Sequence, residues 1–140
     1  WAKIMNKNMI IKEIKDYFAE KDEIIAVYLF GSLSKENYKK DSDIDIALMI
    51  KDRENKVEEF DYRLKVINEL EKLLNSEVDI IIFSHVNLKM QHQILSGELI
   101  LANDNRRRVE MEKSSLKRYL DMKYFYEIYE NKLGRGFDIG

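Results

Sequence analysis

The sequence predicts an α/β fold: one domain with a mixed sheet, helices flanking it, and a long helix at the C-terminal end. Three observations carry that prediction. Compact runs of strand-forming residues, 24–30, 44–50 and 78–83, alternate with segments whose apolar residues recur every three or four positions. The 140 residues are 45% hydrophobic and 36% charged, enough apolar side chain for one core and too much charge for a bilayer protein. From residue 105 to 133 the helical spacing continues without a proline or glycine.

Taken in order, Ile10, Ile11, Ile14 and Phe18 lie at helical spacing among Lys and Glu, so 8–20 reads as an amphipathic helix. Ile24 to Phe30 is an uninterrupted β-forming run stopped by Gly31, the pattern of a buried strand. In the second strand, Ile44, Ile46, Leu48 and Ile50 share one face, while Asp43, Asp45, Ala47 and Met49 share the other. Val57, Phe60, Leu64, Ile67, Leu70 and Leu74 then step as a helix over 54–74, and this stripe is expected to cover the sheet. A third strand follows at 78–83, a short helix near 86–95, and then 97–101, a run short enough to be either an edge strand or a loop. Alternation of strands and helices calls for at least part of the sheet to be parallel. In the last helix the apolar positions are Val109, Leu116, Leu120, Tyr124 and Ile128, and Gly134 suits its end. Residues 1–8 are set aside as an extension, with Met5 or Met9 as the expected start.

Composition narrows the function. A formal charge of -2 supplies no global positive field, so direct nucleic-acid binding is not expected. Without cysteine there is no disulfide, thiolate zinc site or thiol nucleophile. No apolar run is long enough to span a bilayer and none resembles an export signal, so a cytoplasmic protein without a membrane partner is expected.

The chemistry concentrates at Gly31-Ser32, followed after ten residues by Asp43-Ile44-Asp45. Side chains two apart on a strand project from one face about 6 to 7 Å apart, so the two carboxylates can share cations. Mg²⁺ takes carboxylate, water and phosphate oxygens. A glycine lets the backbone turn sharply against a phosphate, and Ser32 offers hydroxyl and N–H donors to it. Asp79 stands in an otherwise apolar strand, where a buried charge would be costly without a metal or partner. If that strand lies beside the second, Asp79 completes a triad and can take up the nucleophile's proton. A lone Gly-Ser or Asp-x-Asp is a common turn or strand-edge feature; the combination between two strands is specific.

Leu29-Phe30-Gly31-Ser32 and Ser42-Asp43-Ile44-Asp45-Ile46 together resemble the signature of the polymerase beta type nucleotidyltransferases, in their minimal branch, MNT. The helix carrying Arg107, Glu110, Tyr119-Leu120-Asp121 and Lys123 resembles the tail of MntA-type antitoxins. The resemblance implies a single nucleotidyltransferase domain over 9–140. It implies catalytic and metal-binding Asp43, Asp45 and Asp79, and a nucleotide held by Gly31, Ser32, Lys35 and Ser42. It also implies ATP as substrate, two Mg²⁺ ions, and a HEPN-domain RNase toxin, HepT-like, as a hetero-oligomeric partner that receives AMP on a tyrosine hydroxyl. Where the family commonly has a small residue, Arg and Gly after Gly-Ser, this chain has Ser34, Lys35 and Glu36. Lysine lacks arginine's fork, so triphosphate contact falls to Lys35, Lys39 or Lys40. Transfer to a small molecule such as an aminoglycoside, and neutralisation by binding alone, are the competing readings. His85 and His92 lack metal-ligand spacing, the Arg106 to Arg108 run reads as solvated, and the tyrosines of the last helix exceed what one core stripe needs.

Overall fold

In a computed structural model, which describes residues 5–31, 43–51 and 55–133, the chain forms α1 (Lys7–Phe18), β1 (Ile24–Phe30), β2 (Ile44–Ile50), α2 (Lys56–Leu74), β3 (Val78–Ile82), α3 (Leu88–Leu95), β4 (Glu98–Ala102) and α4 (Asn105–Leu133). Short polar residues set the helix starts. Asn6, Asn55 and Asn87 each accept a first-turn N–H, from Met9, Val57 and Met90, and Asp104 accepts from Arg107 N at 3.2 Å. Asn75, in the left-handed region at φ 51, ends α2.

The sheet runs β3-β2-β1-β4, antiparallel across β1–β2 and β1–β4 and parallel across β2–β3, where α2 makes the crossover. It is mixed, as the alternating pattern required. Both faces are covered, which is why every residue of β1 is buried instead of every second one. On one face Ile10, Ile14 and Phe18 of α1 and Val66, Leu70 and Leu74 of α2 pack on Leu29, Ile46 and their neighbours. On the other, Tyr28, Phe30, Ala47 and Met49 meet Phe83 of the 3₁₀ turn, Ile94 of α3 and Met111 of α4.

Two helices do not pack as their periodicity implies. In α2 the later half of the predicted stripe, Ile67, Leu70 and Leu74, packs on the core together with Val66, whereas Val57, Phe60 and Leu64 are exposed; at 3.6 residues per turn these three sit roughly 80–140° round the helix from the middle of the buried face. The correction in α4 is larger: Val109, Leu116, Leu120, Tyr124 and Ile128 are all exposed. A more polar face docks in their place. Ser115 donates to Gln91 Oε1 at 2.7 Å, Tyr119 stacks on His92 with centroids 4.1 Å apart, and Glu112 accepts from both Tyr28 and Arg108. All three arginines are paired, and only Arg106 and Arg107 are solvated as expected while Arg108 is largely covered: Arg106 lies 3.6 Å from Glu110, Arg107 3.9 Å from Asp104, and Arg108 2.8 Å from Glu112. Among the described residues no helix is long and apolar enough to cross a membrane.

Candidate active site

The register of three strands assembles the site. Phe30, the last residue of β1, pairs with Asp45 near the start of β2, so Gly31 emerges beside Asp43-Ile44-Asp45. On the other side of β2, Asp45 is the Cα partner of Asp79. Because side chains alternate, Asp45 joins Ala47 and Met49, and Asp79 joins Ile81, on the face toward α3 and α4. Gly31, Asp43, Asp45 and Asp79 therefore share one end of the sheet. Ser32, Lys35 and Ser42, together with Lys39 and Lys40, lie outside the described residues.

Gly31 has φ +74, a region that disfavours any side chain. A Cβ built there would overlap Asp45 Oδ2 and stand 3.3 Å from Asp45 Cγ. The glycine thus supplies both the turn and the room for the carboxylate. A second close approach supports it: a Cβ on Gly97 would overlap the Leu29 carbonyl oxygen, so the α3–β4 junction sits directly on the end of β1.

Among the described residues the charges gathered at the site are carboxylates. The Asp45 carboxyl is raised above its usual range, first by burial and then by the charges of Asp79 and Asp43. The surrounding set also contains Glu77, which shares a side-chain hydrogen bond with Asp43; that bond is the main cause of the upward shift of Glu77. Its main-chain carbonyl accepts from Ile44 N at 2.9 Å, and Glu71 Oε2 accepts from Val78 N at 3.1 Å, which fixes the starts of β2 and β3 side by side. Glu77 was missed in the sequence, although its position two residues before Asp79 on an extended segment was the available signal.

The burial argument for Asp79 needs correction, because Asp79 is exposed. It stands where β3 begins, at the open end of the sheet, so its charge is hydrated and needs no partner to persist. Among the described residues the donors are carboxylates, which suit a hard oxygen-loving cation, and the raised Asp45 marks negative charge that such a cation would relieve. As they stand, no three His, Cys, Asp or Glu side chains among the described residues are close enough together to hold a metal. A cavity of about 730 Å³ between the turn after β3 and α4, lined by Phe83, Val86, Gln91 and Met111 among others, includes none of these carboxylates.

Comparison with known proteins follows the same outline. The family model described as polymerase beta nucleotidyltransferase matches residues 12–106. The chain is similar in structure to one from a toxin–antitoxin structure with AMP-PNP, at TM-score 0.66 and 21% identity over 92% of this chain and 98% of that one. It is also similar to one from a tri-AMPylated Shewanella oneidensis HEPN toxin in complex with MNT antitoxin, at TM-score 0.59 and 20% identity over 91% and 94%. A third similar chain is from an MntA–HepT toxin–antitoxin, with TM-score 0.55 and 18% identity over 93% and 94%. No curated protein matches at a significant level.

Proposed function

Since the chain belongs to the polymerase beta nucleotidyltransferase family, we propose that it transfers AMP from ATP, with Mg²⁺, to a tyrosine hydroxyl of a HEPN-domain toxin and so acts as an antitoxin. The observation that carries the reading is the pairing of Asp45 with Asp79 across parallel strands, next to a glycine that leaves room for the Asp45 carboxylate. The partner class and AMP as the transferred group are supported by the similar fold of a chain from a tri-AMPylated HEPN toxin in complex with an MNT antitoxin; the tyrosine acceptor follows from the family resemblance.

In this reading Asp43 and Asp45 would hold the cation, which would supply neutralisation of the triphosphate and of the charge on the departing pyrophosphate. Gly31 brings its backbone against the phosphates, and Ser32, Ser42 and Lys35 contribute donors from the β1–β2 connection. The acceptor oxygen forms its bond to the α-phosphorus as the α–β bridging P–O bond breaks. Its proton passes to Asp79, which is hydrated and open to an incoming acceptor. Asp45, partly desolvated, is the ligand that gains most from the cation. Glu77 positions Asp43 from below.

The test is incubation with labelled ATP, Mg²⁺ and the candidate toxin. Label on the toxin, lost in Asp43→Ala with Asp45→Ala, is the expected result. Undiminished labelling in that variant would refute the metal assignment; no label with toxicity still suppressed would leave binding as the mechanism.

A further inference from the structure

We infer that the outer face of α4 is a self-association surface that pairs antiparallel with the same helix of a second copy of this chain. This goes beyond the transferase reading and does not depend on it. The helix has two faces, and among the described residues only one packs against the rest of the chain. Met111, Ser115 and Tyr119 turn toward the body, where Ser115 is buried and Tyr119 stacks on His92. Leu116, Leu120 and Tyr124, with relative exposures of 47%, 53% and 67%, run along another face at intervals of four, extended by Ile128. With Lys113 three residues before Leu116 and Glu127 three after Tyr124, the face combines steps of three and four, the spacing that packs nearly aligned against a second helix.

Charge selects the occupant. Lys113 lies toward the N-terminal end of this face and Glu127 toward its C-terminal end, both exposed, and neither forms an ion pair among the described residues. An antiparallel pair centred on Leu120 sets Lys113 against the mate's Glu127, and Leu116 against its Tyr124, twice by symmetry. Along one edge it also brings Lys117 near the mate's Asp121. The face is self-complementary in the antiparallel sense alone, since a parallel pair would set Lys113 on Lys113 and Glu127 on Glu127. Opposed helix dipoles favour the same arrangement. A contact of this length lies at the small end of specific interfaces, on the order of 1,000 Å² in total, so a reversible, concentration-dependent dimer is expected. Phe125 and Tyr129, on other sides of α4, remain uncovered and available to a different protein.

Sedimentation equilibrium of the full chain tests this. The expected result is a concentration-dependent species of twice the 16.8 kDa chain mass. Leu120→Glu should abolish it with unchanged thermal unfolding, because Leu120 touches none of the core. Lys113→Glu should weaken it at least 10-fold, and Lys113→Glu combined with Glu127→Lys in one chain should restore it. A chain monomeric at every concentration, or a dimer indifferent to Leu120→Glu, overturns the inference. So does hydrogen-exchange protection of residues 116–128 that appears only when the toxin is added, which would give the face to that partner and leave the transferase reading intact.

Discussion

Replacing Gly31 with alanine separates what the turn does for the fold from what it does for the site. Two costs arise and they fall on different observables. The backbone at φ +74 disfavours an alanine by about 1–2 kcal/mol, whatever surrounds it. The unfolding entropy of a 140-residue chain is roughly 0.3 kcal/mol/K, so this corresponds to a fall in Tm of about 3–7 °C. The steric cost is relieved differently. The overlapping atom is the far end of a side chain, Asp45 Oδ2, and Cγ at 3.3 Å is tight enough to have to give by a few tenths of an ångström, so the flexible carboxylate must rotate aside while the backbone can stay. That rotation moves a proposed metal ligand by about an ångström, a displacement worth on the order of 100-fold in turnover. Thermal unfolding in EDTA reads the first cost, and the rate of label transfer from ATP reads the second. In an Asp45→Ala background Gly31→Ala should keep its Tm penalty. A Gly31→Ala chain that loses stability but labels at the normal rate would refute the idea that this glycine makes room for the carboxylate.

Asp45→Asn should abolish transfer and yet stabilise the fold in EDTA near neutral pH, raising Tm with a gain of less than about 1 kcal/mol because the group is partly screened by solvent. The sign follows from the raised carboxyl: the folded state binds the proton more tightly than the unfolded chain, so ionised Asp45 opposes folding, and the gain should fade as pH drops through the folded-state pKa. A lower Tm in EDTA would contradict this. Gln91→Leu removes donors to the Phe83 and Val86 carbonyls and strands the buried Ser115 hydroxyl, so denaturant unfolding should show a loss of about 2–3 kcal/mol, with part returned by adding Ser115→Ala. Tyr28→Phe breaks the tie from β1 to Glu112 and should cost about 1–2 kcal/mol. Burial and Glu112 hold the Tyr28 phenol above its ordinary value, so the wild type should lose stability faster than Tyr28→Phe as pH rises past 10.

Local chemistry made much of this legible in advance. β1 and β2 begin and end where the apolar runs do, because Gly31 and the acidic start of the second run are themselves the boundaries. The predicted starts of α1, α2 and α3 were off by one or two residues, since the deciding groups are the capping asparagines Asn6, Asn55 and Asn87 instead of the first apolar residue. The alternation that puts Asp43 and Asp45 on one side of a strand is a property of the backbone and needs no tertiary information. Glu77 was overlooked because its role depends on Asp43, which is distant in the chain and adjacent only once β2 and β3 pair.

The sequence by itself determined the element order, the glycine turn and the carboxylate pair, because each depends on residues within a few positions of one another. Tertiary structure alone decided that Asp79 faces solvent beside Asp45, that α2 buries Val66 while Phe60 stays out, and that α4 docks through Ser115 and Tyr119 while Leu116 and Leu120 remain bare. Periodicity reports that a helix has an apolar face. Which face meets the core is set by what the neighbouring elements present, and here Gln91, His92 and Tyr28 present partners for polar groups that no periodic pattern reveals.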